Sequence, residues 1–363
     1  MLTGFMGWFN KRGLSEVIVS LIVISLSIVA IALVWVVVNN LISSQSSEVD
    51  LGKFTLDMKI KSVVTTPTGV DVTIKREAGT GGISALKFFI SDGTNTQEFQ
   101  EATAIQELEE KTFHLNYSGI VKKVSIAPSL GSGSNAKLGN IVDNLEFDSN
   151  TAVKNMPGLV SWWKFETQNS VDNSTPDEMG RNFMFFGTLF SPPPPILTTG
   201  KFGNAYRFNL VPSFLQSSPS ETQNNVSVTY VTWINKMANY PGDSGIVGDL
   251  ISQPTGIFID STNHVVFIID DSRRFTSSRT INNNQWTHIA GSYFNNTVKI
   301  YVDGESQNFT TTRPTDPDNH ALGVGGINIF TDYPLNGTID EVMIFNRSLS
   351  DEEIKALYNT NLG

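Results

Sequence analysis

Few side chains in this 363-residue sequence have the type and spacing that catalysis requires. The chain has no cysteine, which excludes thiolate nucleophiles, disulfides and cysteine-based metal sites. Its four histidines show no metal-ligand spacing. Retaining glycosidases need two carboxyl groups about 5 Å apart. Asp340 and Glu341 are neighbours in the sequence, and on a regular strand they would face opposite sides. The sequence therefore predicts no catalytic constellation.

A long apolar segment near the N-terminus determines on which side of a membrane the rest of the chain would lie. Residues 17–38 contain no charged side chain, and about 20 apolar residues in a helix span a bilayer. Lys11 and Arg12 form a basic pair just before this segment, and no acidic residue precedes them. The positive-inside rule then leaves the N-terminus in the cytoplasm and the rest of the chain outside. The sequence predicts a transmembrane helix over residues 14–47.

The residues between the basic pair and the apolar run give this segment a more specific meaning. Gly13 is followed by Leu14 and, two residues later, by Glu16. With the basic pair, this stretch resembles the class III signal sequence of archaeal type IV pilins and archaellins. The resemblance implies that a prepilin peptidase recognises the basic pair and cuts between Gly13 and Leu14, so that residues 1–13 are a leader. It also implies that the helix packs against other pilin subunits in a filament.

Two alternatives stay open for this region. The Glu16 carboxylate is favoured by the helix dipole and could meet the new ammonium group of Leu14 in a neighbouring subunit. It could equally be a helix N-terminal acid in the headgroup region. The whole segment could also be an ordinary signal anchor that is never cut. The protein is then expected either in the cell membrane, with its C-terminal domains outside, or in a surface pilus.

The charge balance argues against one class of partner. The chain has 25 Lys and Arg against 35 Asp and Glu. Removal of the leader would leave 25 − 2 = 23 basic residues and a net charge of −12. Nucleic acid binding needs a basic face to neutralise phosphates. We therefore expect no nucleic acid partner.

Short alternating runs fill residues 48–150 and predict a β-domain of about 100 residues. Thr68-Gly69 and Asp92-Gly93 predict turns by their composition. In archaellins and archaeal pilins the N-terminal helix also carries a β-sandwich, so the resemblance implies a pilin-type sandwich here. The predicted strands are 54–64, 70–75, 85–91, 111–115, 121–127 and 141–147.

Residues 157–363 begin with a sharp rise in aromatic content, at Trp162, Trp163 and Phe165. Six blocks then follow one another, at 158–165, 200–208, 228–233, 284–290, 298–304 and 337–346. Their order resembles that of concanavalin A-like, laminin G-like jelly rolls. The expected fold is thus mainly β: a long N-terminal transmembrane helix, a pilin-type sandwich, and a concanavalin A-like jelly roll.

Local patterns within the last region agree with a sandwich. Residues 298, 300 and 302 are apolar and predicted to face the core, with Lys299 and Tyr301 on the other face. Asp303-Gly304 predicts a tight hairpin. Ser350 and Glu353 predict a capping box at the start of a C-terminal helix.

The jelly-roll resemblance also implies a calcium site. Asp177 and Asn182 resemble a loop that often precedes the second strand in this family, and Asp340 resembles the aspartate of its final strand. Carboxylate, amide and carbonyl oxygens suit Ca²⁺. In the alternative interpretation, Asp177 and Asn182 cap a turn and Asp340 binds backbone amides.

These features together predict a pilin-like surface protein whose lectin-like domain adheres to glycans or to a neighbouring cell surface. An unprocessed, signal-anchored receptor or adhesin is the first alternative. The binding subunit of a carbohydrate-processing system is the second. Related glucanases carry Glu-x-Asp-x-x-Glu on one strand, and this motif is absent from the sequence, so we expect no catalysis.

Overall fold

The computed structural model describes the residues 19, 21–27, 56–79, 82–130, 137–169, 174–186, 194–210, 213–217, 227–237, 239–250, 255–269, 273–311, 321–326 and 333–363. Residues 21–27 are helical and exposed. The basic pair, the Gly13–Leu14 bond, Glu16 and most of the segment 14–47 lie outside the described residues. In the part of the chain that is described, no helix has both the length and the apolar character needed to cross a membrane.

A first β unit occupies residues 56–147. Its strands are β1 (Met58–Thr66), β2 (Gly69–Arg76), β3 (Ile83–Ser91), β4 (Thr96–Glu101), β5 (Glu110–Leu115), β6 (Lys123–Leu130), β7 (Lys137–Leu138) and β8 (Asp143–Glu146). One antiparallel sheet has the order β1-β2-β5. The second has the order β4-β3-β6-β7, and β8 also pairs with β6.

The two sheets of the first unit enclose one apolar core. Alternate residues of β2 and β3 are buried, as the period of two in a half-buried strand requires. The rings of Phe88 and Phe113 lie 5.1 Å apart between the sheets. All six predicted runs of this region overlap a strand. The prediction missed β4, whose residues TQEFQE are mostly polar and which lies at the edge of its sheet.

A short helix, α1 (Ser149–Lys154), joins the first unit to the second. Asp148 caps it by accepting a 2.9 Å hydrogen bond from the Thr151 amide. Ala152 and Val153 of α1 are buried in a cluster that also includes Ile120 of the first unit. The helix therefore connects the two units through apolar packing.

The second unit is a larger sandwich. Its strands are β9 (Leu159–Trp163), β10 (Ser174–Thr175), β11 (Met184–Phe186), β12 (Ile196–Thr199), β13 (Asn204–Asn209), β14 (Leu215–Ser217), β15 (Ser227–Lys236), β16 (Ser244–Asp249), β17 (Thr255–Ile259), β18 (His264–Ile269), β19 (Arg273–Thr280), β20 (Trp286–Phe294), β21 (Thr297–Val302), β22 (Glu305–Thr310), β23 (Leu322–Val324) and β24 (Asn336–Phe345).

These strands form two eight-stranded sheets, which we name by position. The front sheet has the order β10-β11-β14-β23-β16-β17-β18-β19. The back sheet has the order β12-β13-β24-β15-β20-β21-β22, and β9 also pairs with β24. Apolar side chains of both sheets form the largest core cluster of the described residues. The described part of the chain is thus mainly β and contains a jelly-roll sandwich, as predicted.

The outer face of the back sheet is covered by the last helix, α2 (Asp351–Asn359). The predicted capping box is present: the Ser350 hydroxyl accepts from the Glu353 amide at 3.2 Å, and the Glu353 carboxylate accepts from the Ser350 amide at 2.9 Å. Ile354 and Leu357 of this helix pack against the sheet. The covered face of the back sheet therefore has its own apolar cluster.

The predicted alternation in β21 is also present. Val298, Ile300 and Val302 belong to the core between the sheets, and Tyr301 belongs to the cluster under α2. Asp303 and Gly304 connect β21 to β22 with φ angles of 51° and 78°. Both lie in the left-handed region, which two-residue hairpins of this kind require.

Candidate functional site

Asp177, one of the three predicted calcium ligands, is engaged by backbone amides. One carboxylate oxygen accepts from the amides of Trp162 at 2.8 Å and Met179 at 3.0 Å. The other accepts from Arg181 at 3.2 Å and Asn182 at 3.1 Å. These four donors tie the loop after β10 to β9. The contacts are those of a turn cap, the alternative interpretation of this residue.

Asn182 lies in the same loop and is also held by protein groups. Its side-chain amide donates to the Ser161 hydroxyl at 2.7 Å, and its carbonyl accepts from the Trp163 indole at 2.7 Å. The residue is buried. Asn182 therefore anchors the loop to β9 through both its side chain and its backbone.

Asp340 lies on β24, where a bulge changes which way the neighbouring side chains point. In the pairing with β15, Val231 opposes Met343 but Trp233 opposes Asp340, so β24 has one extra residue here. Glu341 occupies this position with a φ of 54°. The prediction that Asp340 and Glu341 face opposite sides is wrong for this reason.

The flanking residues show which face the two carboxyl groups share. Ile339 and Val342, on either side of the pair, both belong to the core between the sheets. Asp340 and Glu341 therefore both point to the outer face of the back sheet. A regular strand would place two adjacent side chains on opposite faces, whereas the bulge places two carboxyl groups together.

Each carboxyl group of this pair has one bound oxygen and one without a partner. Asp340 Oδ2 accepts from the Phe202 amide at 3.0 Å. Glu341 Oε2 accepts from the indole nitrogen of Trp162. Among the described residues, Asp340 Oδ1 and Glu341 Oε1 are buried without a hydrogen-bond partner. The two side chains are 0% and 1% exposed, so neither oxygen is open to bulk solvent.

Glu166 adds a third carboxyl group next to the pair. Its Oε2 accepts from the Asn204 amide at 3.1 Å. Gly203, with a φ of 52°, packs directly against this carboxylate. A Cβ at this position would come within 2.2 Å of Glu166 Oε2, so only glycine fits here. The backbone of residues 200–204 therefore covers the carboxyl cluster Glu166, Asp340 and Glu341. We refer to these three residues as the carboxyl cluster.

Burial raises the pKa of both members of the pair. The pKa of Asp340 is raised to about 7 by burial, with a further contribution from Glu166, against the opposing effect of backbone amides. The pKa of Glu341 is raised to about 9 by burial and then by the charge of Asp340, while the Trp162 hydrogen bond and Lys164 act in the opposite direction. At neutral pH the pair therefore retains at least one proton in the absence of a cation.

The carboxyl cluster is the place where oxygen ligands are available for a cation. The unpartnered oxygens of Asp340 and Glu341 are of the type that binds a divalent cation, whereas the oxygens of Asp177 already accept backbone amides. Among the described residues, no group of three or more His, Asp or Glu side chains is arranged to hold a metal ion. A calcium ion at the pair would need backbone carbonyl oxygens as additional ligands.

An aromatic group lies beside the carboxyl cluster on the same face. Trp233 pairs with Asp340 in the sheet, stacks on Tyr358 at 5.7 Å and contacts His288 at 5.2 Å. The ammonium group of Lys201 lies 4.4 Å from the Trp233 ring centre. Burial lowers the pKa of His288 to about 3, so this histidine is neutral at physiological pH.

Sequence reasoning therefore found Asp340 but missed Glu166 and Glu341 as its neighbours. Asp177 and Asn182 contact β9, and no hydrogen bond joins them to the described members of the carboxyl cluster. A bulge depends on how two strands pair, here β15 and β24, so no local pattern in the sequence marks its position.

Comparison with known families relates a large part of the second unit to a described superfamily. Residues 213–355 match the family described as the concanavalin A-like lectin/glucanases superfamily. The C-terminal part of the chain is therefore a concanavalin A-like, laminin G-like domain. No curated protein sequence matches the chain significantly.

Two solved structures are similar to parts of the chain. Domain 4 of AbnA, an extracellular GH43 arabinanase from Geobacillus stearothermophilus, was solved with arabinotriose; it is 20% identical, with a TM-score of 0.44, over 55% of this chain and 98% of that one. Trypanosoma rangeli sialidase is 14% identical, with a TM-score of 0.45, over 83% of this chain and 53% of that one. The chain thus spans about half the length of the sialidase. No residue role in this chain rests on either likeness.

Proposed function

We propose that this chain is a cell-surface protein that displays its C-terminal, lectin-like sandwich for adhesion to glycans or surfaces. The observation that carries the proposal is the two-sheet sandwich whose residues 213–355 match a lectin and glucanase superfamily. The sandwich follows a smaller β unit and an apolar N-terminal stretch, an order suited to display outside a membrane.

The proposed route to the surface is that of an archaeal type IV pilin. Lys11 and Arg12 are the recognition residues for a prepilin peptidase, which cuts between Gly13 and Leu14. Glu16 contacts the new N-terminus of a neighbouring subunit, and residues 17–38 lie in the membrane or in a filament core. This part of the proposal is supported by the sequence of the segment. An unprocessed surface receptor or adhesin remains the alternative.

Binding without hydrolysis is the proposed activity. The pair of carboxyl groups that the bulge brings together is 0% and 1% exposed and is covered by residues 200–204. A retaining glycosidase needs its two carboxyl groups to flank the bond of a bound substrate. The pair is therefore better suited to a structural proton or a calcium ion than to catalysis. The alternative function, as the binding subunit of a carbohydrate-processing system, would likewise require binding without hydrolysis.

The processing step has a direct test. Mass spectrometry of the protein from a host with a prepilin peptidase is expected to show a chain that begins at Leu14, because the cut lies on the cytoplasmic side of the helix. A Gly13→Val variant, made in the same host, is the control and is expected to keep Met1. An intact Met1 in the unmodified protein would contradict the pilin proposal and leave the signal-anchor alternative.

The binding function is tested with the full-length protein on an array of neutral and sialylated oligosaccharides, with calcium and with EGTA. We expect at least one class of oligosaccharide to bind. A loss of binding in EGTA that calcium restores would support the calcium proposal, and equal binding in both conditions would refute a role for calcium in recognition. If no oligosaccharide binds in either condition, adhesion to glycans is wrong for this domain.

A further inference from the structure

The loop after β5 lies between the two β units and is held by both. Ile120 at its end is 0% exposed and packs in the apolar cluster of α1 and α2. Tyr117 is partly buried and packs edge-on against Phe99 of the first unit, with the rings 6.5 Å apart. Residues 116–119 therefore form a ridge at the junction whose position is set by contacts on both sides.

A cleft of about 340 Å³ opens on one side of this ridge. The first unit contributes the turn between β1 and β2, including Thr66 and Thr68, and the ridge contributes Asn116 and Ser118. The second unit contributes residues that surround the start of α2. A cavity of this size at a domain interface is a common setting for a small-ligand site. We refer to it as the junction cleft.

The charged groups that line the junction cleft neutralise one another. Arg347 donates to Glu353 through both terminal nitrogens, one of the two bonds being 2.8 Å long. Arg347 Nε also donates to the Pro157 carbonyl at 2.7 Å. No other charged side chain lines the described part of the cleft. A phosphate, carboxylate or ammonium ligand would find no unpaired counter-charge there.

Several neutral side chains in the cleft have donor or acceptor atoms that no described protein group occupies. Within the described part of the chain, the side chains of Asn116 and Ser118 have no hydrogen-bond partner, and the Thr68 hydroxyl has only a 3.4 Å contact with Thr66. The Tyr117 hydroxyl donates to the Ile120 carbonyl at 3.4 Å, and its oxygen can still accept a hydrogen bond from a ligand. Amide and hydroxyl groups of this kind pair with the hydroxyls of a sugar.

A second cleft of about 300 Å³ lies against the other side of the same ridge. It shares Tyr117, Ser118 and Gly119 with the junction cleft and is lined further by Asn95, Gln97 and Asn359. Three charged side chains, Asp92, Glu352 and Lys355, also line it, so this second cleft is polar but not neutral throughout. A chain of several sugar units could therefore continue past the ridge.

We propose that the junction cleft binds a neutral oligosaccharide, held by residues of both β units. The inference rests on the proposed glycan-binding function and assigns its site to the junction between the units. The hydroxyl and amide lining favours a ligand with many hydroxyl groups, and the internally paired Arg347 and Glu353 disfavour a charged one.

The test uses the full-length protein and the neutral oligosaccharide that binds best on the array. Thr68→Trp would place a large ring in the junction cleft, because Thr68 is exposed at its edge. Thr280→Trp is the matched control, since Thr280 is an exposed threonine on β19 of the front sheet. Calorimetric titration is expected to show at least about tenfold weaker binding for Thr68→Trp and unchanged binding for Thr280→Trp. Thermal unfolding of each variant checks that it is folded.

The outcomes separate this inference from the proposed function. Binding that is unchanged in Thr68→Trp, or weakened equally in both variants, would overturn the junction cleft while leaving glycan binding intact. Binding of sialylated but not neutral oligosaccharides would overturn the assignment of ligand class. An unmodified protein that binds no oligosaccharide would refute the proposed function itself and, with it, this inference. Asn116→Ala removes one hydrogen-bonding side chain from the cleft and adds no bulk. Weaker binding by this variant would support the junction cleft as the binding site.

Discussion

Replacing Phe267 by alanine is expected to lower the free energy of unfolding of the C-terminal sandwich by about 3–5 kcal/mol. Phe267 lies on β18, is 0% exposed and belongs to the core between the sheets. Its ring lies 6.3 Å from that of Tyr230 and directly over Gly291, where a Cβ would come within 2.4 Å. Because the absent Cβ of Gly291 makes room for this ring, truncation leaves a cavity that the backbone cannot easily fill.

The measurement is urea unfolding followed by tryptophan fluorescence. Residues 56–147 contain no tryptophan, whereas Trp162, Trp163, Trp233 and Trp286 lie in the sandwich, so the signal of the β units comes from the second one. Phe294→Ala is the matched control: Phe294 is 52% exposed, and its loss is expected to change stability by no more than about 0.5 kcal/mol. Equal effects of the two substitutions would show that the ring of Phe267 is not part of a packed core.

In the presence of EGTA, the sandwich is expected to lose stability as the pH rises from about 5 to about 9. The pKa values of Asp340 and Glu341 are raised above their ordinary values, to about 7 and about 9, mainly because both groups are buried. An acid with a raised pKa in the folded state holds its proton more tightly there. Its stabilising effect is complete below the unfolded pKa and is lost as the pH rises through the folded pKa.

The expected slope is up to about 1.4 kcal/mol per pH unit for each proton that only the folded state retains. Glu341→Gln removes the ionisable group but keeps an oxygen that can accept from the Trp162 indole. This variant should therefore lose less stability than the unmodified protein between pH 7 and 9. Glu352→Gln is the control, because Glu352 is exposed on α2 and should leave the slope unchanged.

The same series tests calcium in the carboxyl cluster. A cation bound by Asp340 and Glu341 would favour their ionised forms, so added calcium should restore stability at pH 8 to 9 in proportion to its affinity. Asp340→Asn should abolish this effect. A stability that rises with pH in EGTA would contradict the raised pKa values, and the absence of any calcium effect would leave a proton as the occupant of the pair.

Much of the fold could be predicted because it depends on short-range patterns. The alternation in β2 and β21, the Asp303-Gly304 hairpin and the capping box at Ser350 all appear in the structure. Each depends on residues within a few positions of one another. The polar edge strand β4 was missed, because an edge strand buries little and so needs no apolar alternation.

The candidate site was predicted less well, because it depends on contacts between distant segments. The loop pattern predicts that Asp177 binds a metal, yet its oxygens accept four backbone amides, and one of these belongs to Trp162 of β9, which only the fold brings to the loop. Glu166 and Asp340 are far apart in the sequence, and no local signal relates them. Calcium binding stays a prediction, now attached to the carboxyl cluster.

The sequence by itself determined the fold class of the C-terminal domain and the absence of thiol chemistry, since each of these depends on composition or on local spacing. Only the tertiary structure decided where the carboxyl groups meet. A single extra residue in β24 turns Glu341 to the side of Asp340, and the loop at residues 200–204 then buries both. The direction of a side chain in a sheet depends on the register with its neighbours, and register is a property of paired strands.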